Sequence, residues 1–191
     1  MRINESGGLE LAEKLSDYSG KEAPEKIRTF FRASGTENGL ELVFESRFES
    51  LRTAPDDAET LGGKTLRLWD ISDVFEMFVS WGELKKYREF QFAPDGRFLD
   101  IDIDASGSGR KTDFSWESGL SYEASAEKGI WHGRALIPWS AFPCGKPAEG
   151  DVWHINFYGI MNTASETAYL AWSPVHEINF HKPECFGEII F

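Results

Sequence analysis

Basic charge, cysteine, histidine and long apolar runs are all scarce in this chain, and each scarcity removes a class of function. Against 32 Asp and Glu stand 20 Lys and Arg, giving a formal net charge of −12 over 191 residues. A field of that sign repels a phosphate backbone, which excludes nucleic acid as a partner. No run of ~18 apolar residues is present to span a bilayer, so no membrane partner is expected. The opening residues, Met1-Arg2-Ile3-Asn4-Glu5-Ser6-Gly7-Gly8, lack the apolar stretch of a secretory signal. The compartment stays open: cytoplasmic for the chain as it stands, extracytoplasmic if a leader has been removed. Cys144 and Cys185 match no metal or redox spacing and read as free thiols in loops. The four histidines, His132, His154, His176 and His181, show no zinc spacing. No repeat, low-complexity tract or linker divides the sequence, so a single domain over residues 1–191, acting as a monomer, is expected.

Aromatic residues, by contrast, are plentiful: seven Trp, fifteen Phe and five Tyr. Large rings dominate core energetics, yet this number leaves some free to face a ligand. Alternation of period two sets the secondary structure. Leu40, Leu42, Phe44 and Phe48 share one face of a strand whose other face carries Glu41, Glu45, Arg47 and Glu49. Similar segments run over 27–33, 74–80, 87–93, 97–104, 120–126, 129–137, 152–160, 167–172 and 187–191, making about ten short strands. Ala93-Pro94-Asp95-Gly96 is a turn signal that joins two of them as a hairpin. Helix signals are thin: Leu9 to Leu15 could form a turn or two, and Pro138 opens a short helical turn through Phe142. The fold class expected is all-β, an antiparallel sandwich of jelly-roll or immunoglobulin-like type with at most one or two short helices.

Five segments, in order, carry a resemblance. They are Leu68-Trp69-Asp70-Ile71-Ser72-Asp73-Val74-Phe75-Glu76, Tyr87-Arg88-Glu89-Phe90-Gln91-Phe92, Ile137-Pro138-Trp139, Trp153-His154-Ile155-Asn156-Phe157, and the run from Trp172-Ser173-Pro174 through Phe180 to Pro183 and Phe186-Gly187. Together, over about residues 65–191, they resemble carbohydrate-binding module family 9, a DOMON-type β-sandwich. The resemblance implies a non-catalytic domain that holds the end of an oligo- or polysaccharide in a slot between two aromatic walls. Trp69 would be one wall and Phe180, where the family has Trp, the other. Glu76 matches the family's binding carboxylate, Gln91 falls where the family has arginine, and Asn156 falls on an asparagine of a neighbouring strand. The family also carries structural calcium.

The chemistry of these residues agrees with that reading. A pyranose offers two C–H faces to rings and a rim of hydroxyls to planar polar groups. Glu76 shares its strand face with Val74 and Phe78, where a carboxylate needs hydrogen bonds. It is expected to accept them from sugar hydroxyls in its ionised state, and His181 to help hold one hydroxyl. Trp172 is expected in the core. Asp100, Asp102 and Asp104 fall on one strand face, where they are either solvated or, with Asp95 or Asp113, part of a calcium site. Three alternatives stay open. Related DOMON-type domains bind haem non-covalently, with Met77, Met161 and the histidines available as axial ligands. A glycosidase could use Glu76 with Asp73 or Glu89. A sandwich that has lost sugar binding could serve protein contacts.

Overall fold

The computed structural model describes residues 2–3 and 9–191. Its strands, in chain order, are β1 Arg2–Ile3, β2 Leu9–Lys14, β3 Ser16–Asp17, β4 Thr29–Gly35, β5 Gly39–Arg47, β6 Thr60–Leu61, β7 Lys64–Thr65 and β8 Val74–Ser80. There follow β9 Lys86–Phe92, β10 Phe98–Asp104, β11 Lys111–Asp113, β12 Ser121–Glu127, β13 Ile130–Pro138, β14 Val152–Asn162, β15 Thr167–Ala171 and β16 Gly187–Ile190. One four-residue helix, α1, spans Leu68–Ile71. A six-stranded sheet in the order β1-β2-β4-β5-β13-β12 faces an eight-stranded one in the order β11-β10-β9-β8-β14-β15-β3, with β16 also paired to β14. The expected antiparallel sandwich is the observed fold. No helix among the described residues is long and apolar enough to cross a membrane.

Rings from both sheets fill the space between them. Phe44 of β5 stacks on Phe75 of β8 at 4.2 Å between centroids, and Phe31 of β4 lies 4.2 Å from Phe157 of β14. Gly133 on β13 makes room for Phe44, because a Cβ there would sit 2.1 Å from the ring. Trp172 packs edge-on against Phe31 and Phe157, as expected of a core residue.

The larger sheet is covered on its other face too. Val74, Phe78, Tyr87, Leu99, Ile101, Tyr158 and Phe180 form a second apolar cluster there. All seven residues of β8 are therefore buried. This outer covering is made of loops and α1 rather than a third sheet, and loops on a rigid sheet are where binding groups are commonly placed.

Two local expectations differ from the structure. Leu9 to Lys14 is not helical but the strand β2, paired antiparallel to β4 from Lys14↔Phe30 to Glu10↔Ser34. Its Leu, Glu, Ala and Lys residues are good helix formers, but intrinsic propensity is a weak prior and pairing along the open edge of β4 outweighs it. The strand expected from Ile27 begins at Thr29, after a 3₁₀ turn over Glu25–Ile27. The turn opened by Pro138 is present as a 3₁₀ turn over Trp139–Ala141. Cys144 and Cys185 are free thiols.

Candidate functional site

Period two along adjacent strands sends one set of side chains to the outer face of the larger sheet. Glu76 and Phe78 project from β8 and Glu89 and Gln91 from β9, with Glu76 opposite Gln91 and Phe78 opposite Glu89. On the other flank of β8, Tyr158 of β14 is opposite Glu76 and Asn156 is opposite Phe78. The result is a polar floor in an otherwise apolar surface. Above it lies a cleft of about 410 Å3 whose lining includes Trp69, Glu76, Glu89, Gln91, Phe114, Tyr169, Phe180 and His181. Arg110, Thr112, Ile178 and Asn179 also line it.

The walls are held from beneath. Trp69 stands on α1, entered through Arg67 in the left-handed region at φ 57 and ψ 37. Next in sequence comes buried Asp73, whose carboxylate accepts from the backbone N–H of Arg52 at 3.2 Å and that of Asn162 at 2.8 Å. These bonds pin the segment leading out of α1 to two neighbouring stretches. The opposite wall, Phe180, stacks on Tyr158 at 4.1 Å and 9° and meets Tyr169 edge-on at 6.2 Å. The Tyr158 hydroxyl donates to the Phe180 carbonyl at 3.2 Å, which ties the loop to β14.

No other tryptophan serves this cleft. Trp131, Trp139 and Trp153 lie in the core between the sheets. Trp81 and Trp116 clamp the Arg88 guanidinium, at 4.9 Å and 4.3 Å from their ring centroids.

The floor is buried and polar at once. Glu76, Glu89 and Gln91 are 2%, 4% and 1% exposed. Gln91 Nε2 donates to Glu89 Oε1 at 2.5 Å. Glu76 Oε2 and Gln91 Oε1 have no hydrogen-bond partner among the described residues. Burial, and then the charge of Glu89, holds the Glu76 carboxyl well above the usual carboxylate range. Burial pushes Glu89 up to about 7, against the pull of the Gln91 hydrogen bond and of Arg110. These surroundings oppose the ionised form of Glu76 expected from sequence. His181 is driven down to about 4 by burial and by Arg110, so its ring is neutral, with Nδ1 3.0 Å from the Tyr87 hydroxyl.

Five of the six residues expected in a sugar site, Trp69, Glu76, Gln91, Phe180 and His181, line this one cleft. Asn156 does not. Its Nδ2 donates to the Tyr158 hydroxyl at 2.9 Å and the Ser173 carbonyl at 2.8 Å, while its Oδ1 accepts from the N–H of Phe157 and of Ser173 at 2.9 Å. Every polar valence of that amide is used to fasten the Trp172-Ser173 turn to β14. Arg110, Phe114 and Tyr169 line the cleft without having been expected there, and Glu89, considered from sequence only as the acid partner of Glu76 in a glycosidase, lines it too. Glu89 shares the strand face of Gln91 and was open to discovery by alternation alone; the other three come from distant segments that only the fold brings near.

Asp100, Asp102 and Asp104 share a face of β10, as expected, but each meets a basic side chain. Asp100 pairs with Lys64 at 2.7 Å, Asp102 with Arg88, and Asp104 with Lys86 at 3.8 Å. Calcium takes six to eight oxygens, and carboxylates already matched to cations do not fit such a cage. Among the described residues no group of three or more His, Cys, Asp or Glu is placed to hold a metal ion. Met77 and Met161, the methionines considered as haem ligands, are buried between the sheets and away from the cleft.

Residues 67–191 match carbohydrate-binding family 9. The chain belongs to that family. The matched region contains every residue of the cleft named above. A protein of Bacteroides uniformis, described as a candidate carbohydrate-binding protein, has a similar fold, with a TM-score of 0.73 over 95% of this chain and 86% of its own at 24% identity. A family 9 module from Caldicellulosiruptor kristjanssonii, solved in complex with glucose, aligns with a TM-score of 0.62 over 92% of this chain and 82% of its own at 14% identity. A family 9 module from the same organism was solved with cellotriose. The chain is also similar to the UPF0462 protein C4orf33 homolog of Danio rerio, 31% identical over 75% of this chain and 66% of that protein. Similarity to the human UPF0462 protein C4orf33 is 28% over 85% of this chain and 79% of that protein.

Proposed function

We propose that this family 9 domain binds carbohydrate without catalysis, gripping a sugar at the end of an oligo- or polysaccharide between Trp69 and Phe180. The observation that carries the reading is the pairing of ring walls with a floor where Glu76 Oε2 and Gln91 Oε1 lack partners. A buried polar atom without a partner costs ~1–3 kcal/mol, so a ligand that supplies hydroxyls there recovers energy the empty cleft forgoes. Rings take the C–H faces of a pyranose and the floor takes its rim. Family membership supports the same reading, as do relatives solved with glucose and cellotriose.

Glu76 and Glu89 also look like the acid pair of a glycosidase, and their placement argues against it. Such a pair flanks the scissile bond, one carboxyl protonating the leaving oxygen while the other attacks or activates water. Here both rise from adjacent strands of one sheet and meet a ligand from the same side.

Titration of the chain with glucose and cellotriose, followed by calorimetry and by NMR of the Trp69 indole, should show saturable binding at a single site. Incubation with xylan or cellulose should release no reducing sugar. Absence of saturable binding overturns the reading. So does hydrolysis that disappears in Glu76→Gln while binding survives, which would make the domain an enzyme.

A further inference from the structure

The two acids of the floor have unequal surroundings. Glu89 accepts a hydrogen bond on one oxygen and has an imidazole nitrogen near the other. Gln91 Nε2 gives its hydrogen to Oε1 at 2.5 Å, and His181 Nε2 stands 3.9 Å from Oε2. A Tyr87 O–H donating to Nδ1 of the neutral His181 imidazole, 3.0 Å away, leaves the ring hydrogen on the other nitrogen. Nε2 then carries the ring hydrogen and turns it toward Glu89.

Glu76 has no such support. Its Oε2 is buried without a partner, and the side chains beside it on β8 are Val74 and Phe78. The Tyr158 hydroxyl across the strand pair is committed to Asn156 and to the Phe180 carbonyl. A carboxylate at this position has nothing to accept from, whereas a carboxylic acid has a hydrogen to give.

We propose that Glu76 meets the sugar as a neutral carboxylic acid that donates to one hydroxyl, while Glu89 meets it as a carboxylate that accepts from a neighbouring hydroxyl. This rests on reading the cleft as a sugar site. The ligand class it selects is a vicinal diol with one hydroxyl held as acceptor and the next as donor, and Gln91 Oε1 is available to accept from a third. Two carboxyls placed so that their environments separate their ionisation give a defined donor and acceptor, which two equivalent carboxylates would not. The raised ionisation of Glu76 and the donors around Glu89 agree with this division.

Affinity then depends on pH through both acids. The groups facing Glu76 are Glu89 from β9, Tyr158 from β14, Tyr169 from β15, His181 from the 176–182 loop and Arg110 before β11. Burial holds Tyr158 and Tyr87 well above neutrality, with Tyr87 at about 12, and His181 at about 4, so neither these two phenols nor the imidazole titrates near neutral pH. Affinity should rise as Glu89 loses its proton around pH 7 and fall again as Glu76 ionises at higher pH.

The test is calorimetric titration of the full chain with cellotriose from about pH 5 to about pH 10. The unaltered chain should give a bell-shaped profile. Glu76→Gln keeps a donor that cannot ionise, so it should abolish the alkaline fall and, at the top of the range, bind ~fivefold or more tightly than the unaltered chain. Glu89→Gln removes the accepting carboxylate and should weaken binding ~tenfold with loss of the acid limb. A second readout needs no variant. The 13C shift of the Glu76 carboxyl at saturating cellotriose near neutral pH should be that of a neutral acid. A carboxylate shift there, or affinity that climbs steadily with pH, overturns the proposal and leaves the sugar site standing. Failure of the unaltered chain to bind glucose or cellotriose at any pH overturns the sugar site and the proposal together.

Discussion

Trp69 stands half-buried on a helix too short to stabilise itself, so its place depends on the buried carboxylate of Asp73, four residues further along the chain, and on the backbone N–H groups which that carboxylate receives. The proposed function gives the indole a ligand face besides its contact with the outer apolar cluster. Trp69→Ala should weaken cellotriose binding by at least ~1.5 kcal/mol, the scale of a central aromatic anchor, and leave a cooperative melt. Unchanged affinity with a native melt would remove Trp69 from the site. Phe180 differs, because its ring is stacked on Tyr158 and only 8% exposed, so truncating it would disturb the second apolar cluster as well as the wall. Letters alone separate such cases poorly. Trp69, Glu76, Gln91 and Phe180 were legible from the resemblance, with strand parity in support at Glu76, and His181 from its place beside Phe180, whereas Asn156, on a matching strand face, proved to be a structural tie. Its four hydrogen bonds involve Ser173, Tyr158 and Phe157, and nothing in the local sequence announces the tie to Ser173.

Strands show the same division between local pattern and long-range pairing. Segments that alternate, such as Gly39–Arg47, could be read directly, since Leu40, Leu42 and Phe44 must leave water together. The two-residue strands β3, β6 and β7 and the helix α1 were not legible, because two to four residues cannot display a period. Strand β2 reads as helix for a different reason: its Leu, Glu, Ala and Lys residues are good helix formers, and its partner β4 lies beyond any local window. Sheet packing also makes a prediction. On β13, Gly133 lies under Phe44, where a methyl group would come within 2.1 Å of the ring. Gly133→Ala should destabilise the fold by ~1–3 kcal/mol, the cost of overpacking a filled core, measured by urea unfolding. Affinity for cellotriose should hold, because β13 belongs to the sheet that carries no part of the cleft. A variant as stable as the parent would mean that the sheets separate easily at this point.

For the molecule as a whole, the buried acids set how stability responds to pH. An acid whose ionisation is raised on folding holds its proton in the native state when the unfolded chain has already lost it. The native state then binds more protons, so stability falls as pH rises between the unfolded and folded values. Glu89 acts this way from its ordinary value of 4.5 up to about 7. His181, lowered from 6.5 to about 4, acts in the opposite sense, because the unfolded chain binds the extra proton and stability rises with pH over that interval. The windows of Glu89 and His181 overlap and largely offset each other below 6.5, but Glu76, raised from the same starting value of 4.5 by burial and by its neighbour Glu89, adds its own loss through that interval and continues beyond it. Thermal melting should therefore fall as pH rises through mildly acidic solution and go on falling above neutrality. Glu76→Gln should flatten the alkaline fall, since a carboxamide releases no proton. Melts that rise toward alkaline pH, or a fall that persists unchanged in the variant, would show that Glu76 is ionised in the native cleft.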